Sequence, residues 1–114
     1  MRASRSVQSP VREILASRRR RADYFDATLF ADPAWDILLD LYAADQEGAL
    51  VSVSSLCIAA AVPATTALRW IVRLEEAGLI CREPDPFDRR RDFLKLSAEA
   101  RDKMEACLRV ENLI

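Results

Sequence analysis

Two apolar helical stretches meet at Val62-Pro63 with almost nothing between them, and that junction constrains the fold more than any other feature. The residue before a proline is driven out of helical geometry, so the stretch that carries Leu56, Cys57 and Ala60 must end there. A second helix begins at once and runs over 64–77, with Ala67, Trp70, Ile71 and Leu74 spaced to share one face. Gly78 follows as its C-terminal cap. Beyond it, residues 79–83 read as a strand, 84–90 as a turn dense in proline and aspartate, and 93–96 as the returning strand. Two short helices on a tight turn, followed by a hairpin with a basic tip, spell a winged helix-turn-helix. The fold class is mainly α with a small β-hairpin wing (α+β). The turn lacks the glycine often found there, so Val62-Pro63 must serve instead.

The flanking segments extend this unit in both directions. Asp32-Pro33 pairs an N-cap acid with proline at the first helical position, and Trp35, Leu38, Leu39 and Tyr42 follow as an amphipathic stripe. That helix ends at Gln46-Glu47-Gly48, and Leu50 and Val51 suit a very short strand. Ser52 or Ser54 caps the next helix, and Ser97 caps a last one bearing Ala100, Met104, Cys107 and Leu108. Toward the N-terminus, Pro10 opens a helix through Val11, Ile14 and Leu15 into the arginine run 18–21. The first nine residues are polar and read as a mobile arm. Tyr24, Phe25, Leu29 and Phe30 form an aromatic-rich linker expected to pack on the body. The expected division is a basic arm, helix and linker over 1–31 and the winged helix over 32–114.

Charge is informative in its distribution rather than its sum. A net charge of −1 argues mildly against nucleic acid as a partner. However, residues 1–24 hold seven arginines, residues 25–63 hold six acids and no base, and residues 64–96 hold seven bases among six acids. Fifteen of the seventeen bases are arginine, whose planar fork suits phosphates and guanine edges better than lysine's point charge.

Several chemistries are closed to this composition. With no histidine, neither a Ser-His-Asp nor a Cys-His nucleophile system can be built, nor a zinc site of the mixed type. Two glycines do not make a phosphate loop. Glu75 and Glu76 are adjacent on a helix, so they point apart and read as a solvated face. Catalytic and metal-binding residues are therefore not expected, and no cofactor is. Cys57, Cys81 and Cys107 lie at wide spacings, as suits reduced thiols in a cytoplasmic protein, with Cys57 read as a buried structural thiol rather than a redox sensor. No apolar run is long enough to span a membrane, and the N-terminal arginines lack the apolar core of a secretory signal.

Arg73-Leu74-Glu75-Glu76-Ala77-Gly78-Leu79-Ile80, then Arg82, then Asp85-Pro86-Phe87-Asp88-Arg89-Arg90 and the strand ending at Leu96-Ser97, resemble the MarR family of bacterial transcriptional regulators. The resemblance covers about residues 32–108. It implies a DNA-binding regulator, with Thr65 and Thr66 at the start of the recognition helix and Arg69 at a groove-facing position. It also implies that Asp88 orients the wing while Arg90 enters the minor groove. Leu68 and Val72 stand where polar residues are common in the family.

The residues themselves suit these roles. Ala64, Thr65, Leu68, Arg69 and Val72 lie away from the core stripe of helix 64–77, which would enter the major groove by its N-terminal half. Arg69 is suited to fork onto a guanine, a contact worth roughly 1–3 kcal/mol of discrimination. Thr65 and Thr66 are suited either to phosphate and base edges or to simple helix capping. Arg73, one turn on, is placed for a phosphate or an internal acid. Arg89, Arg90 and Arg91, in the wing at 85–91, suit the negative potential of a narrow minor groove; the alternative is ion pairing to Asp85, Asp88 and Asp92. The run 18–21 reads as a DNA-tracking arm or as solvated helix surface. The expected partner is double-stranded DNA, bound by a homodimer on an inverted repeat. A small-molecule effector near Tyr24, Phe30 and Trp35 fits the family but nothing in the sequence indicates one. The alternative is a winged-helix module for protein–protein contacts, suggested by the acidic 25–63 segment, Leu68, Val72 and Phe87.

Overall fold

A computed structural model describes residues 9–114, so most of the polar arm expected at the N-terminus lies outside the described residues. Five helices and a three-stranded sheet follow in the order α1 (Pro10–Arg20), α2 (Pro33–Glu47), β1 (Val51–Ser52), α3 (Val53–Ala59), α4 (Ala64–Glu76), β2 (Ile80–Asp85), β3 (Asp88–Leu96) and α5 (Ala98–Val110). Short 3-10 turns at Arg21–Asp23 and Ala27–Phe30 link α1 to α2. Capping explains most helix starts: the side chains of Ser9, Asp32, Ser52 and Ser97 each accept a first-turn backbone N–H.

The core is organised around α2. Ile37, Leu39, Leu41, Tyr42, Ala43 and Ala44 are all buried, while Trp35 and Leu38 of the expected stripe are only half-buried. A single amphipathic stripe underestimates this helix, because α1, α3, α4, α5 and β3 all pack against it. Val11 and Leu15 of α1, Leu56 of α3, Ala67 and Ile71 of α4 and Leu108 of α5 join the same core.

Two carboxylates of α2, Asp36 and Asp40, are buried as well. Burial of a charge is tolerable only when it is paired, and α1 supplies the partners. Arg18 reaches Asp36 at 2.5 Å, Arg19 reaches it at 3.3 Å, and Arg12 lies 2.7 Å from Asp40 and 3.0 Å from Glu47. Arg19 also donates to the Ala59 carbonyl at the end of α3. The arginine run 18–21 is thus divided: its first half bolts α1 onto α2 and α3, while Arg20 and Arg21 are exposed.

The aromatic linker departs from expectation. Tyr24 is 81% exposed, and Phe25 and Phe30 pack edge to face on each other, with centroids 5.5 Å apart, rather than on the core. Arg21 lies over the Phe30 ring, 5.5 Å from its centroid, and the adjoining α1–α2 seam is closed by the ion pairs of Arg18 and Arg19 with Asp36.

Candidate nucleic-acid interface

Helices α3 and α4 meet at 107°, the crossing expected of a helix-turn-helix. The tight turn is made by Ala61, which takes up a left-handed backbone (φ +58°) where no glycine is available. Pro63 then presets the entry to α4, leaving its first turn with no side-chain cap. Thr65 is exposed and Thr66 half-buried, and neither serves as the N-cap. The first amides of α4 are therefore open, and no acid stands in that turn to oppose an incoming anion.

Along α4, Ala67, Ile71 and Leu74 face the core, and Trp70 is half-buried beside them. Arg69 projects from the opposite side and is exposed. Arg73 is also exposed and lies over the Trp70 ring, 4.5 Å from its centroid, so an aromatic surface rather than an acid holds it. The remaining outward positions include Leu68 and Val72, 42% and 45% exposed.

The wing is tighter at its tip than the turn read from sequence. Asp85 pairs with Asp88, so only Pro86 and Phe87 form the turn. Pro84 pairs with Asp92, and the next step jumps to Asp85 opposite Asp88. Arg89, Arg90 and Arg91 are the residues of β3 left unmatched between those pairs. A bulge of this kind bends the strand and re-aims side chains, and it sets all three arginines in solvent. Proline, which cannot donate to a ladder, stands at that break.

Each wing arginine is held differently. Asp88 accepts the Arg90 backbone N–H at 3.0 Å and its Nε at 3.1 Å, so the 90%-exposed Arg90 side chain is steered without being buried. Asp85, missed as a site residue from sequence, is the buried carboxylate of the wing. It accepts the Phe87 N–H at 2.8 Å and Arg91 Nε at 2.7 Å. Those bonds, the Arg91 one foremost, hold the Asp85 carboxyl below its ordinary pKa, and Arg90 does the same for Asp88. Arg91 also lies over the Phe93 ring at 5.2 Å, so it braces the wing, while Arg89 has no carboxylate partner among the described residues. The signal for Asp85 was the Asp-x-Phe pattern at a turn, in which an aspartate bonds the backbone two residues on.

Arg82 links the wing to α4. Its guanidinium bonds Glu75 at 2.9 and 3.2 Å and lies 3.6 Å from Asp92 of β3. At the far end of α4, Ser97 donates to the Gly78 carbonyl at 2.8 Å and ties α5 to the same corner. The wing and α4 are thereby fixed relative to each other.

Among the described residues, no group of three or more histidine, cysteine, aspartate or glutamate side chains is placed to hold a metal ion. The three cysteines are free and half-buried. Burial raises the thiol pKa of Cys57 and of Cys107, which keeps both in the unreactive form. No single described helix is long and apolar enough to cross a membrane.

No protein-family model matches the sequence. A search of curated proteins likewise finds no match. Solved structures do match. A MepR–DNA complex from S. aureus aligns over 89% of this chain and 76% of its own, with TM-score 0.63 and 20% identity. MarR aligns over 90% and 76%, with TM-score 0.57 and 26% identity. A probable transcriptional regulator from Pseudomonas aeruginosa aligns over 90% and 73%, with TM-score 0.57 and 24% identity. The chain has the MarR-like winged helix fold.

Proposed function

We propose that this MarR-like winged helix is a DNA-binding transcriptional regulator without catalytic chemistry. The observation that carries the reading is the wing bulge, which spends three consecutive arginines on solvent beside an uncapped recognition helix. In this reading α4 enters the major groove by its N-terminal half, with its open amides and Thr65 and Thr66 toward a phosphate. Arg69 forks onto a base edge, and Arg73, levelled against Trp70, meets a phosphate. Arg90, steered by Asp88, and Arg89 enter the minor groove, where phosphates on both sides concentrate negative potential. Arg91 stays with Asp85 and holds the bulge in shape. Residues 32–114 carry the DNA-binding unit, and α1 braces it.

Two copies on one duplex would read an inverted repeat whose half-sites lie about 34–36 Å apart. Such a protein would act where the chromosome is, in the cytoplasm of a bacterium. Selection of bound duplexes from a random pool tests the reading. Enrichment of a palindrome supports a DNA-binding dimer, and failure to retain any duplex at low salt contradicts it.

A second reading, a winged-helix module for protein contacts, draws on Phe87, which is 96% exposed at the wing tip. It predicts a partner held with little dependence on salt, lost on Phe87→Ala.

A further inference from the structure

From Gly48 to Leu68 the chain carries no charged residue, although this stretch includes α3, the turn and the leading half of α4. Its surface is uncharged, with Ser54, Ser55 and Thr65 exposed beside Leu50, Ile58 and Leu68. A groove of about 480 Å³ between α3 and α4 is lined by Val53, Cys57, Ile58, Val62, Ala64 and Leu68, with Ser54 beside them. Ile58 is 79% exposed on one wall, and Leu68 and Val72 continue the apolar surface along the outer side of α4. Exposed apolar groups on an otherwise core-facing helix call for a partner that offers apolar groups in turn.

The proposed interface supplies the occupant. On α4, Val72 stands about 60° and Leu68 about 100° around the helix from Arg69, and all three are exposed, so a base edge that meets Arg69 lies next to these side chains. In the major groove, the only apolar group that any base edge presents is the C5-methyl of thymine. We infer that Leu68 and Val72, with Ile58 across the groove, read thymine methyl groups beside the base contacted by Arg69. Leu68 and Val72 then add to the base preference set by Arg69. The expected half-site is thymine-rich, with a guanine at the Arg69 position.

This inference rests on the DNA-binding reading, and the test separates the two. A duplex enriched from a random pool is remade with deoxyuridine at every thymidine, which removes only the methyl groups. Affinity is expected to fall about fourfold for each contacted methyl. Val72→Ser, at an exposed position and without a side-chain methyl, is expected to erase part of that loss while leaving the salt dependence unchanged; Leu68→Asn is expected to do the same at a neighbouring base. If the thymidine and deoxyuridine duplexes bind alike, the methyl reading is overturned while DNA binding stands. If no duplex is enriched and Leu68 and Val72 are instead covered by a protein, both readings are overturned.

Discussion

Ala61 shows how a single position carries strain that composition leaves unrelieved. A Cβ in the left-handed region costs roughly 1–2 kcal/mol, and the turn between α3 and α4 places Ala61 there. Ala61→Gly is expected to raise stability in urea by about 0.5–1 kcal/mol, the strain relief less the added freedom of the unfolded chain. An unchanged or lower midpoint would contradict that reading of the turn. Asp85 is the second position where one side chain decides local order. Its folded pKa lies below the ordinary carboxylate value of about 4. The Arg91 and Phe87 bonds therefore contribute fully above that value and are lost as pH falls through the lower folded one. NMR of the Phe87 amide should show the wing tip losing its fixed environment only below about pH 4. Asp85→Asn should release Arg91 at neutral pH and weaken DNA binding without changing base preference.

At the scale of elements, the proposed reading divides the work of recognition between α4 and the wing. Arg69→Ala is expected to cost about 1–3 kcal/mol and to relax preference at one base pair, while Arg90→Ala should weaken all sequences alike. Arg82 belongs to neither class, because it bonds Glu75 of α4 and faces Asp92 of β3. Arg82→Ala should loosen the wing relative to the helix. Both elements were legible in the sequence, since a proline break, a glycine cap and an Asp-Pro turn are local signals. The bulge was not. It depends on which β2 residue meets which β3 residue, and arginines at 89–91 look the same in a turn as in a strand. The linker aromatics were misjudged for a similar reason. Their apolar character is local, but the polarity of the α1–α2 seam is set by residues distant in sequence.

Across the whole molecule, the charge blocks seen in the sequence resolve into two different uses. Three arginines of the N-terminal basic block are matched to the acidic block within the fold, Arg12, Arg18 and Arg19 against Asp36, Asp40 and Glu47. The basic residues of the wing bulge remain in solvent. A near-neutral total is thus compatible with a cationic face. Removing Arg18 leaves Asp36, 2% exposed, with only the longer Arg19 contact. Arg18→Ala should destabilise the fold by about 3 kcal/mol in urea, and pairing Arg18→Met with Asp36→Leu should restore most of it. If the wing presents its arginines to a polyanion, the salt dependence of binding reads it out. Duplex affinity is followed by fluorescence anisotropy from low to physiological salt for the native chain and for Arg90→Ala. Log affinity is expected to fall linearly with log salt, and Arg90→Ala to reduce the slope by about 1. Binding that ignores salt, or a slope untouched by Arg90→Ala, would contradict it.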